Sequence, residues 1–458
     1  MGEAASNMST PTLIGSSRRK VVVGLGVTGL SVARFLHARG ELFTVLDSRS
    51  APPGLPQLRE EMPEVAVLLG SWSADIPDTA AELIVSPGVA PDEPWLQRAV
   101  QAGAQLRGDI DLFTEAARAP VVGITGSNGK STVTELLGAM GRSAGRRTAV
   151  GGNLGTAALD LLDDRNELYV LELSSFQLER AGQLGLAVAT VLNLSTDHLD
   201  RHGSMPRYHQ AKHRIFGSCG RVVFNADDPL TTPPLADGQE KFSWRMREPD
   251  LYGFGLREAQ GQLMLAEGFE LLMPVSEIAM PGRHNIANAL AALALGRAIG
   301  LPIESMLPVL RSFQGLPHRC ELVAESAGVR WINDSKATNV GAALAAVRGL
   351  GEQRRLLLIA GGRDKGADFS ELRRALATHC EHVLLIGEAA ADMAEALAGA
   401  CDIRVPGTLE AAVAEAAALA RSGQTVLLSP ACASFDQFDG YADRGRVFAE
   451  LVLQETGL

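Results

Sequence analysis

The sequence predicts an α/β protein of about three domains with a parallel, doubly wound organisation. Three observations support this fold class. Short apolar runs typical of strands alternate with helical stretches along the chain. The chain has 458 residues, 46% of them hydrophobic and 21% charged, which is enough for about three cores of ordinary size. Two glycine-rich turns join an apolar run to a helical one, as phosphate-binding turns in such sheets do.

Composition excludes several classes of protein. The net charge of −11 disfavours binding to nucleic acid or to an anionic membrane surface. Neither a signal peptide nor an apolar run long enough to span a bilayer is found. Five scattered cysteines suit a reducing cytoplasm better than a disulfide framework or a thiolate metal site, namely Cys219, Cys320, Cys380, Cys401 and Cys432. We therefore expect a cytoplasmic protein without membrane insertion, whose residues 1–17 form a flexible tail.

The first predicted domain, residues 18–108, begins with a glycine-rich fingerprint. A strand at Lys20 leads into Gly24-Leu-Gly26-Val-Thr-Gly29, then a helical stretch, then a strand ending at Asp47, about 20 residues beyond the glycines. This order favours an NAD-type dinucleotide or another ligand with a diphosphate and a ribose. A tight turn without a ligand is the alternative. The next strand ends at Ser86-Pro87-Gly88, on the edge where open α/β sheets bind ligands.

The central domain, residues 109–315, carries the most informative motif. An apolar run from Pro120 leads into Gly126-Ser-Asn-Gly129-Lys130-Ser131-Thr132. Backbone amides of such a loop surround phosphate oxygens, the lysine adds a positive charge, and the serine hydroxyl can bind Mg²⁺. The usual loop places its first glycine six residues before the lysine, a position occupied here by Ile124. We expect a variant nucleoside-triphosphate loop; the alternative is a glycine-rich turn with an incidental lysine.

Later strand ends supply further polar side chains. Glu172 ends an apolar strand, where the Mg²⁺-binding acid of a nucleotide site usually lies. Four histidines follow within a short segment: His198, His202, His209 and His213. A zinc site is one interpretation, because His209 and His213 have i, i+4 spacing. The others are a polar helix face, or a single histidine, His198, that binds Mg²⁺ or substrate. Lys212 lies on the same predicted helix. It is either a site residue or a solvated surface lysine.

Further polar residues lie near the end of the central domain and in the third domain, residues 316–458. Asn285 and Asn288 share one face at the entry to a long apolar helix and could reach a base or ribose, although asparagine is also a common helix-entry residue. Polar and glycine-rich segments follow the strands of the third domain, which places functional groups on one edge of its sheet.

Short segments in order over nearly the whole chain resemble the ATP-dependent Mur ligases of peptidoglycan synthesis. The ELSSFQLE, GGRDKG and SPACASFDQF segments are similar to the branch of that family that adds D-glutamate, and the DNPR-like segment of relatives that add a diamino acid is not found. The segments are GSNGKST at 126–132, GGNLG at 151–155, ELSSFQLE at 172–179, DHLDRH at 197–202, PGRHNIANA at 281–289, LPHRCE at 316–321, INDSKATN at 332–339, GGRDKG at 361–366 and SPACASFDQF at 429–438.

The resemblance implies a fold and a chemistry. The fold has a Rossmann-like N-terminal domain, a central P-loop ATPase-like domain and a Rossmann-like C-terminal domain. ATP phosphorylates the carboxylate of UDP-N-acetylmuramoyl-L-alanine, D-glutamate attacks the acyl phosphate, and ADP and phosphate leave. Such a transfer needs positioning and charge neutralisation more than a protein nucleophile. A cytoplasmic monomer with two Mg²⁺ sites, serving cell-wall synthesis and hence cell shape and division, is implied.

The resemblance also assigns residues by position. Catalysis is assigned to Lys130, His198 and Lys212, the last as a carbamylated lysine, and metal binding to Ser131, Glu172, His198 and Lys212. ATP contacts are Gly126, Ser127, Asn128, Gly129, Lys130, Ser131, Thr132, Asn285, Asn288, Arg319, Asp334 and Lys336. The UDP-linked substrate is assigned to Gly26, Val27, Thr28, Gly29, Asp47, Ser48, Arg49, Ser86, Gly88 and Asn153, which favours a UDP-sugar over NAD. D-Glutamate is assigned to Thr338, Lys365, Ser434, Phe435 and Tyr441.

Three alternative functions stay open. A nicotinamide-dependent dehydrogenase would use Asp47 on a ribose but leaves the second phosphate loop unexplained. A regulatory nucleotide-binding module would bind ATP without releasing phosphate. Folylpolyglutamate synthetases share the loop and the glutamate transfer, but an N-terminal UDP-type domain is not expected in them.

Overall fold

A computed structural model describes residues 19–70, 80–234, 238–352, 354–364 and 366–458. The predicted tail at 1–17 and the predicted D-glutamate ligand Lys365 lie outside the described residues. The chain divides into two compact units. The first comprises the described residues up to Glu115 together with Ala157–Asp160 and Arg180–Gly182, and the second comprises the remainder.

The first unit contains a five-stranded parallel sheet in the order β3-β2-β1-β4-β5. This is the Rossmann-like arrangement that the glycine fingerprint predicts. Its elements are β1 (Arg19–Val23), α1 (Val27–Ala38), β2 (Phe43–Asp47), α2 (Leu55–Glu61), β3 (Ala66–Leu69), β4 (Ala80–Val85), α3 (Pro94–Gln101) and β5 (Gln105–Arg107), followed by α4 (Asp109–Ala116). Buried valine and leucine side chains of β1, β2 and β4 pack against Trp95 and Leu96 of α3.

The second unit contains two sheets, of which the larger has nine strands in the order β14-β13-β12-β11-β10-β9-β6-β8-β7. Helices α5 and α9 pack against each other beside this sheet, and their apolar faces join its core. The elements are β6 (Val121–Thr125), α5 (Lys130–Ser143), β7 (Thr148–Gly152), β8 (Leu168–Glu172), α6 (Ser175–Leu178), β9 (Val188–Val191), α7 (Leu199–His202), α8 (Met205–His213), β10 (Arg221–Asn225), β11 (Glu240–Trp244), β12 (Phe254–Ala259), β13 (Gln262–Glu267), β14 (Glu270–Pro274), α9 (Arg283–Ala298) and α10 (Ile303–Ser312).

The sequence predicted a parallel sheet, but the nine-stranded sheet is parallel only in part. Strands β7 to β12 pair in parallel, but β12, β13 and β14 form an antiparallel extension. The turn between β12 and β13 has only two residues, Gln260 and Gly261, and both have positive φ (53° and 73°). A two-residue connection can only join antiparallel strands, since a parallel pair needs a long crossover.

The third sheet has six strands in the order β15-β16-β20-β17-β18-β19, parallel except for β15. Separate apolar cores lie on its two faces, so the sheet is doubly wound as predicted. Its elements are β15 (Glu321–Ser326), β16 (Val329–Asn333), α11 (Val340–Gly351), β17 (Leu356–Gly361), α12 (Ser370–His379), β18 (Cys380–Ile386), α13 (Ala390–Ala396), β19 (Asp402–Gly407), α14 (Leu409–Leu419), β20 (Thr425–Leu428) and α15 (Tyr441–Thr456). Within the described ranges, every helix is too short or too polar to cross a bilayer.

Candidate active site

The glycine-rich loop of the second unit lies between β6 and the N-terminus of α5, as its sequence predicts. Gly126 and Gly129 have φ of 155° and 81°, which side-chain-bearing residues rarely adopt. A Cβ on Gly129 would lie 2.5 Å from Oδ1 of Asn288, so the loop and helix α9 approach more closely than any other residue allows. No side chain caps the first turn of α5, and its free amides are therefore available to an anion.

Lys130 is held over this loop. Its Nζ donates hydrogen bonds to the carbonyl oxygens of Gly126 and Ser127 at 2.9 and 3.0 Å. Burial lowers the pKa of Lys130, whereas the carboxylates of Glu172 and Asp197 oppose that shift. The ammonium group thus lies beside the free amides of α5, and together they form a local positive site in an acidic protein.

A small polar network adjoins the loop. Ser131 donates a short hydrogen bond through Oγ to Glu172 Oε2, and Arg319 Nη2 donates to the same Oγ at 2.6 Å. Asn153 Nδ2 donates to Glu172 Oε1 at 2.7 Å. A hydroxyl and a carboxylate in contact are the hard oxygen donors that Mg²⁺ prefers. Asn153, which the resemblance assigns to the UDP-linked substrate, here contacts the carboxylate of the predicted metal ligand.

Lys212 is fully buried and is not a solvated surface lysine. Its Nζ donates to the carbonyl oxygen of Gly126 at 2.8 Å and to Thr125 Oγ1 at 3.3 Å, and lies 4.8 Å from the ring centre of Tyr208. Burial and the nearby Lys130 charge lower the pKa of Lys212 well below its usual range, although the carboxylates of Asp197 and Glu172 act in the opposite direction. The shift favours the neutral amine over the ammonium form, and a neutral amine is a nucleophile.

His198 lies in the turn after β9 with a left-handed backbone (φ 53°). Its Nε2 is 3.6 Å from Asp197 Oδ2, and its ring meets the edge of Phe176 with centroids 5.0 Å apart. Asn339 Nδ2 donates to Asp197 Oδ2 at 3.0 Å, which ties this turn to the start of α11. Asp197 was not among the residues predicted from the sequence; it lies six residues beyond the end of β9, whereas Glu172 is the last residue of β8.

The four clustered histidines do not share one site. His202 is buried, with Nε2 3.0 Å from Ser175 Oγ and Nδ1 3.4 Å from Glu179 Oε1. His209 and His213 stack on each other with centroids 3.9 Å apart, and His213 Nε2 lies 2.8 Å from the Leu230 carbonyl oxygen. In the described part of the chain, no three His, Cys, Asp or Glu side chains converge as metal ligands.

A cavity of about 500 Å³ brings together most of the predicted nucleotide ligands. Trp244 and His284, which the sequence analysis missed, also line it. His284 lies in the PGRHNIANA segment directly before Asn285, whereas Trp244 ends β11 without a polar motif beside it, so only the fold reveals Trp244. The predicted residues on its wall are Ser127, Asn128, Gly129, Lys130, Ser131, Thr132, Asn153, Glu172, His198, Asn285, Asn288, Arg319, Asp334, Lys336 and Thr338.

Helix α9 presents its two asparagines to this cavity. Asn288 Nδ2 donates to Asn285 Oδ1 at 3.0 Å, and Asn285 Nδ2 donates to the carbonyl oxygen of Pro281 at 2.8 Å. Beside them, His284 packs so closely that a Cβ on Gly282 or Gly349 would lie 2.8 or 3.0 Å from its ring. Burial lowers the pKa of His284 to about 4, so the ring that separates α9 from α11 is neutral.

Asp334 follows β16 and is buried at the far wall of the cavity. Its carboxylate accepts hydrogen bonds from Ser429 Oγ at 2.8 Å and from the backbone amide of Cys320 at 3.2 Å. Burial raises the pKa of Asp334 to about 7 in spite of those bonds and the nearby Arg319. Lys336 Nζ stands 3.8 Å from the ring centre of Tyr441, one of the predicted D-glutamate residues.

The other predicted D-glutamate residues lie at the same edge of the third sheet. Ser434 is buried and Phe435 is 64% exposed, just beyond β20. Arg444, missed by the sequence analysis, is buried and donates to the carbonyl oxygens of Ser335 (2.9 Å) and Cys432 (3.2 Å). It therefore braces the two loops that carry Thr338 and Ser434.

Apart from Asn153, which belongs to the second unit, the predicted UDP-substrate residues lie in the first unit, around the turn between β1 and α1 and at the ends of neighbouring strands. A Cβ on Gly29 would be 1.8 Å from the Gly24 carbonyl oxygen, and Ser86 Oγ donates to that oxygen at 3.0 Å. Val27 is 73% exposed at the start of α1 and is open to a ligand. The turn therefore has the tight backbone that its fingerprint requires.

The carboxylate of Asp47 is hydrogen-bonded to residues beside this turn. It accepts from the backbone amide of Leu25 at 2.7 Å and from the guanidinium of Arg49 at 2.7 and 2.9 Å. Burial alone would raise the pKa of Asp47, but Arg49 and the backbone amides lower it. Ser48 lies between these two residues, and Gly88 follows β4 on the same edge of the sheet.

Family models match most of the chain. Residues 18–108 match the Mur ligase MurD-like N-terminal domain, residues 124–296 the Mur ligase middle domain, and residues 318–432 the Mur ligase glutamate ligase domain. A relative named UDP-N-acetylmuramoylalanine–D-glutamate ligase from Pseudomonas syringae pv. syringae (strain B728a) is 54% identical over 96% of this chain and 99% of its own length. Relatives of that name from Pseudomonas aeruginosa and Acinetobacter baylyi are 52% and 49% identical, covering 96% and 94% of this chain and 99% and 97% of their own lengths.

Solved structures share the fold at low identity. The MurF ligase from Thermotoga maritima in complex with ADP aligns with a TM-score of 0.60 and 17% identity, covering 96% of this chain and 98% of its own. The UDP-N-acetylmuramate-alanine ligase MurC from the same organism aligns with a TM-score of 0.58 and 19% identity, covering 94% and 98%. These likenesses support the three-domain α/β architecture.

Proposed function

The chain belongs to the Mur ligase family, and we propose that it is the ATP-dependent ligase that adds D-glutamate to UDP-N-acetylmuramoyl-L-alanine, with release of ADP and phosphate. One observation carries the choice of substrates: the relatives of that printed name match 96% of the chain at 54% identity. The reaction belongs to peptidoglycan precursor synthesis. We propose a cytoplasmic monomer with domains at 18–108, 109–315 and 316–458.

Geometry supports the phosphoryl-transfer half of this proposal. The amides of α5 and the Lys130 ammonium would hold the β- and γ-phosphates, because both present positive charge at one loop. Arg319 reaches the same loop from the start of the third domain and would neutralise charge on the transferred group. Asn285, Asn288, Asp334 and Lys336 would hold the base and ribose from the cavity wall.

The donor set fits magnesium. Ser131 and Glu172 already touch and would be the first-metal ligands, while His198 and Lys212 are proposed for the second. Bound Mg²⁺ neutralises phosphate charge and orients the oxygens of the transferred group. Lys212 suits its proposed carbamylation: a neutral buried amine adds to the carbon of CO₂ and loses a proton, which leaves an anionic carbamate.

D-Glutamate is proposed to bind at the edge of the third sheet. Thr338 lies on the wall of the nucleotide cavity, and Ser434, Phe435 and Tyr441 follow at the same edge. Lys365, between Asp364 and Gly366, is proposed as the partner of a glutamate carboxylate. The UDP-linked substrate is proposed to bind at the first unit's Gly26–Gly29, Asp47–Arg49, Ser86 and Gly88.

The test is phosphate release with ATP, Mg²⁺ and UDP-N-acetylmuramoyl-L-alanine, comparing D-glutamate, L-glutamate and other amino acids. We expect release that depends on D-glutamate and disappears in Lys130→Ala. Release that is indifferent to D-glutamate would overturn the assignment, and reduction of a nicotinamide by the protein would favour the dehydrogenase alternative.

A further inference from the structure

A second cavity of about 500 Å³ opens beside the antiparallel extension of the nine-stranded sheet. It lies between the β12–β13 hairpin, the segment before α9, and the C-terminal end of α11. The residues that line it are mainly apolar: Met246, Leu256, Val275, Ile278, Met280 and Ile286. None of them is assigned to the proposed reaction.

Such a cavity has the size and lining of a small-molecule site. Ligand pockets span roughly 300–1,000 Å³ and combine an apolar wall with a few charged groups. Leu256 and Met280 are buried in its floor, whereas Leu263 at its mouth is 45% exposed. Apolar surface concentrated in a solvent-accessible cavity is costly unless something covers it.

The charges at the mouth favour a single negative charge. Arg283 is exposed at the first position of α9 and makes no ion pair or hydrogen bond within the described residues. No side chain caps that helix N-terminus, so its amides add to the positive potential. Arg247, also on the wall, is already paired with Asp227 at 2.9 Å. Glu352 lines the opposite side of the cavity and also makes no ion pair within the described ranges. Its carboxylate would repel an anion bound on that side.

We propose that this cavity binds a small organic anion with an apolar body, a carboxylate or sulfonate whose charged end meets Arg283 and whose body covers the apolar wall. The site is separate from the nucleotide cavity. Helix α9 lies between them, with Arg283 and Ile286 lining one and Asn285 and Asn288 lining the other. The neutral ring of His284, packed against Gly282 and Gly349, closes the gap. The proposal does not depend on the ligase function.

The experiment is a fluorescence titration of the full chain with 8-anilinonaphthalene-1-sulfonate, an apolar sulfonate, in the presence of saturating Mg·ADP. We expect one saturable site. Arg283→Ala should weaken the dye about three- to fivefold and Glu352→Gln should strengthen it by a similar factor, the effect of one partly exposed charge. Arg297→Ala, which removes a charge from the other end of the same helix, is the matched control and should leave binding unchanged.

Two further measurements separate this site from unspecific dye binding. Leu263→Trp should fill the mouth and abolish the signal without lowering the thermal stability, because Leu263 is half-exposed. Octanoate should displace the dye, and octanol, the same chain without the charge, should do so far less well. Equal titrations for Arg283→Ala, Glu352→Gln and the control, loss of the signal on adding Mg·ADP, or equal displacement by octanol would each overturn the proposal.

Discussion

At the scale of single residues, burial sets the chemistry of Lys212. An exposed lysine is a cation, but this amine is enclosed beside the Lys130 ammonium, and both surroundings favour its neutral form. Its two hydrogen bonds go to Thr125 and to the Gly126 carbonyl oxygen, so no carboxylate neutralises it directly. The structure thereby supplies a physical reason for the proposed carbamylation, which the sequence pattern lacks.

We predict that ligase activity depends on dissolved CO₂. Activity should fall in buffer depleted of CO₂ and return with bicarbonate, because the carbamate must form on the neutral Lys212 amine. Lys212→Met should lose about 10- to 100-fold in rate, the usual effect of removing a group that supports a metal site. Lys241→Met, at an exposed lysine, is the control and should behave as wild type. A CO₂-independent wild-type rate in the phosphate-release assay would contradict the prediction.

A second residue-scale prediction concerns His284. Its folded pKa of about 4 lies below the unfolded value near 6.5, so the unfolded chain binds more protons between these values. Stability from this residue is fully present above pH 6.5 and is lost as the pH falls toward 4. In denaturant titrations of wild type and His284→Gln, the wild type should lose more stability over that interval. A pH-independent difference between the two would show that the ring is not held neutral.

At the scale of elements, the approach of α5 to α9 depends on one glycine. Gly129 ends the phosphate loop with positive φ and no room for a Cβ beside Asn288, whereas Gly145 follows the other end of α5 with φ 77° and open space around it. Both glycines have a positive φ that favours glycine, but only at Gly129 would an added Cβ also clash with a neighbouring side chain.

We predict that Gly129→Ala weakens nucleotide binding about tenfold or more, because the loop must shift away from Asn288. Gly145→Ala carries a similar backbone strain of about 1 kcal/mol and should leave the nucleotide affinity unchanged. Calorimetric titration with Mg·ADP measures the affinity, and thermal unfolding measures the strain. Equal affinities in the two variants would show that the close approach is not needed for binding.

At the scale of the whole molecule, residues far apart in sequence share one cavity. Arg319 contacts Ser131, and Asn339 contacts Asp197, so segments after residue 316 are tied to the phosphate loop and to the turn after β9. A ligand in this cavity would contact segments that follow strands of the nine-stranded sheet and segments that follow strands of the six-stranded sheet. Its binding would therefore stabilise the folded second unit.

We therefore predict that Mg·ADP at about 100 times its dissociation constant stabilises the protein by about 2.7 kcal/mol and raises Tm. Scanning calorimetry with and without the nucleotide measures the shift. Lys130→Ala should abolish it, because the phosphates lose their charge partner, while Arg297→Ala at the far end of α9 should keep it. An unchanged Tm for wild type would mean that nucleotide does not bind the native cavity.

The sequence predicted the elements on which most of the candidate site is built. Glycine-rich turns after strands are local signals, because a positive φ or a close backbone approach admits little else; Gly29 and Gly129 both occupy such positions. The buried strands β6, β8 and β17 were also predicted from local sequence, because a strand buried on both faces is a short apolar run. Neither the antiparallel β12–β14 extension nor the contact of Asn153 with Glu172 had a comparable signal, since both depend on strand pairing.

The sequence by itself determined the α/β class, the phosphate loop and the set of polar residues at the strand ends, because each is written in neighbouring residues. Only the tertiary structure decided which of those residues meet and in what protonation state. Burial lowers the pKa of Lys212, raises that of Asp334 to about 7 and lowers that of His284 to about 4, because distant segments exclude water from these side chains. The burial of a polar side chain depends on packing between elements, which the local pattern around that residue does not encode.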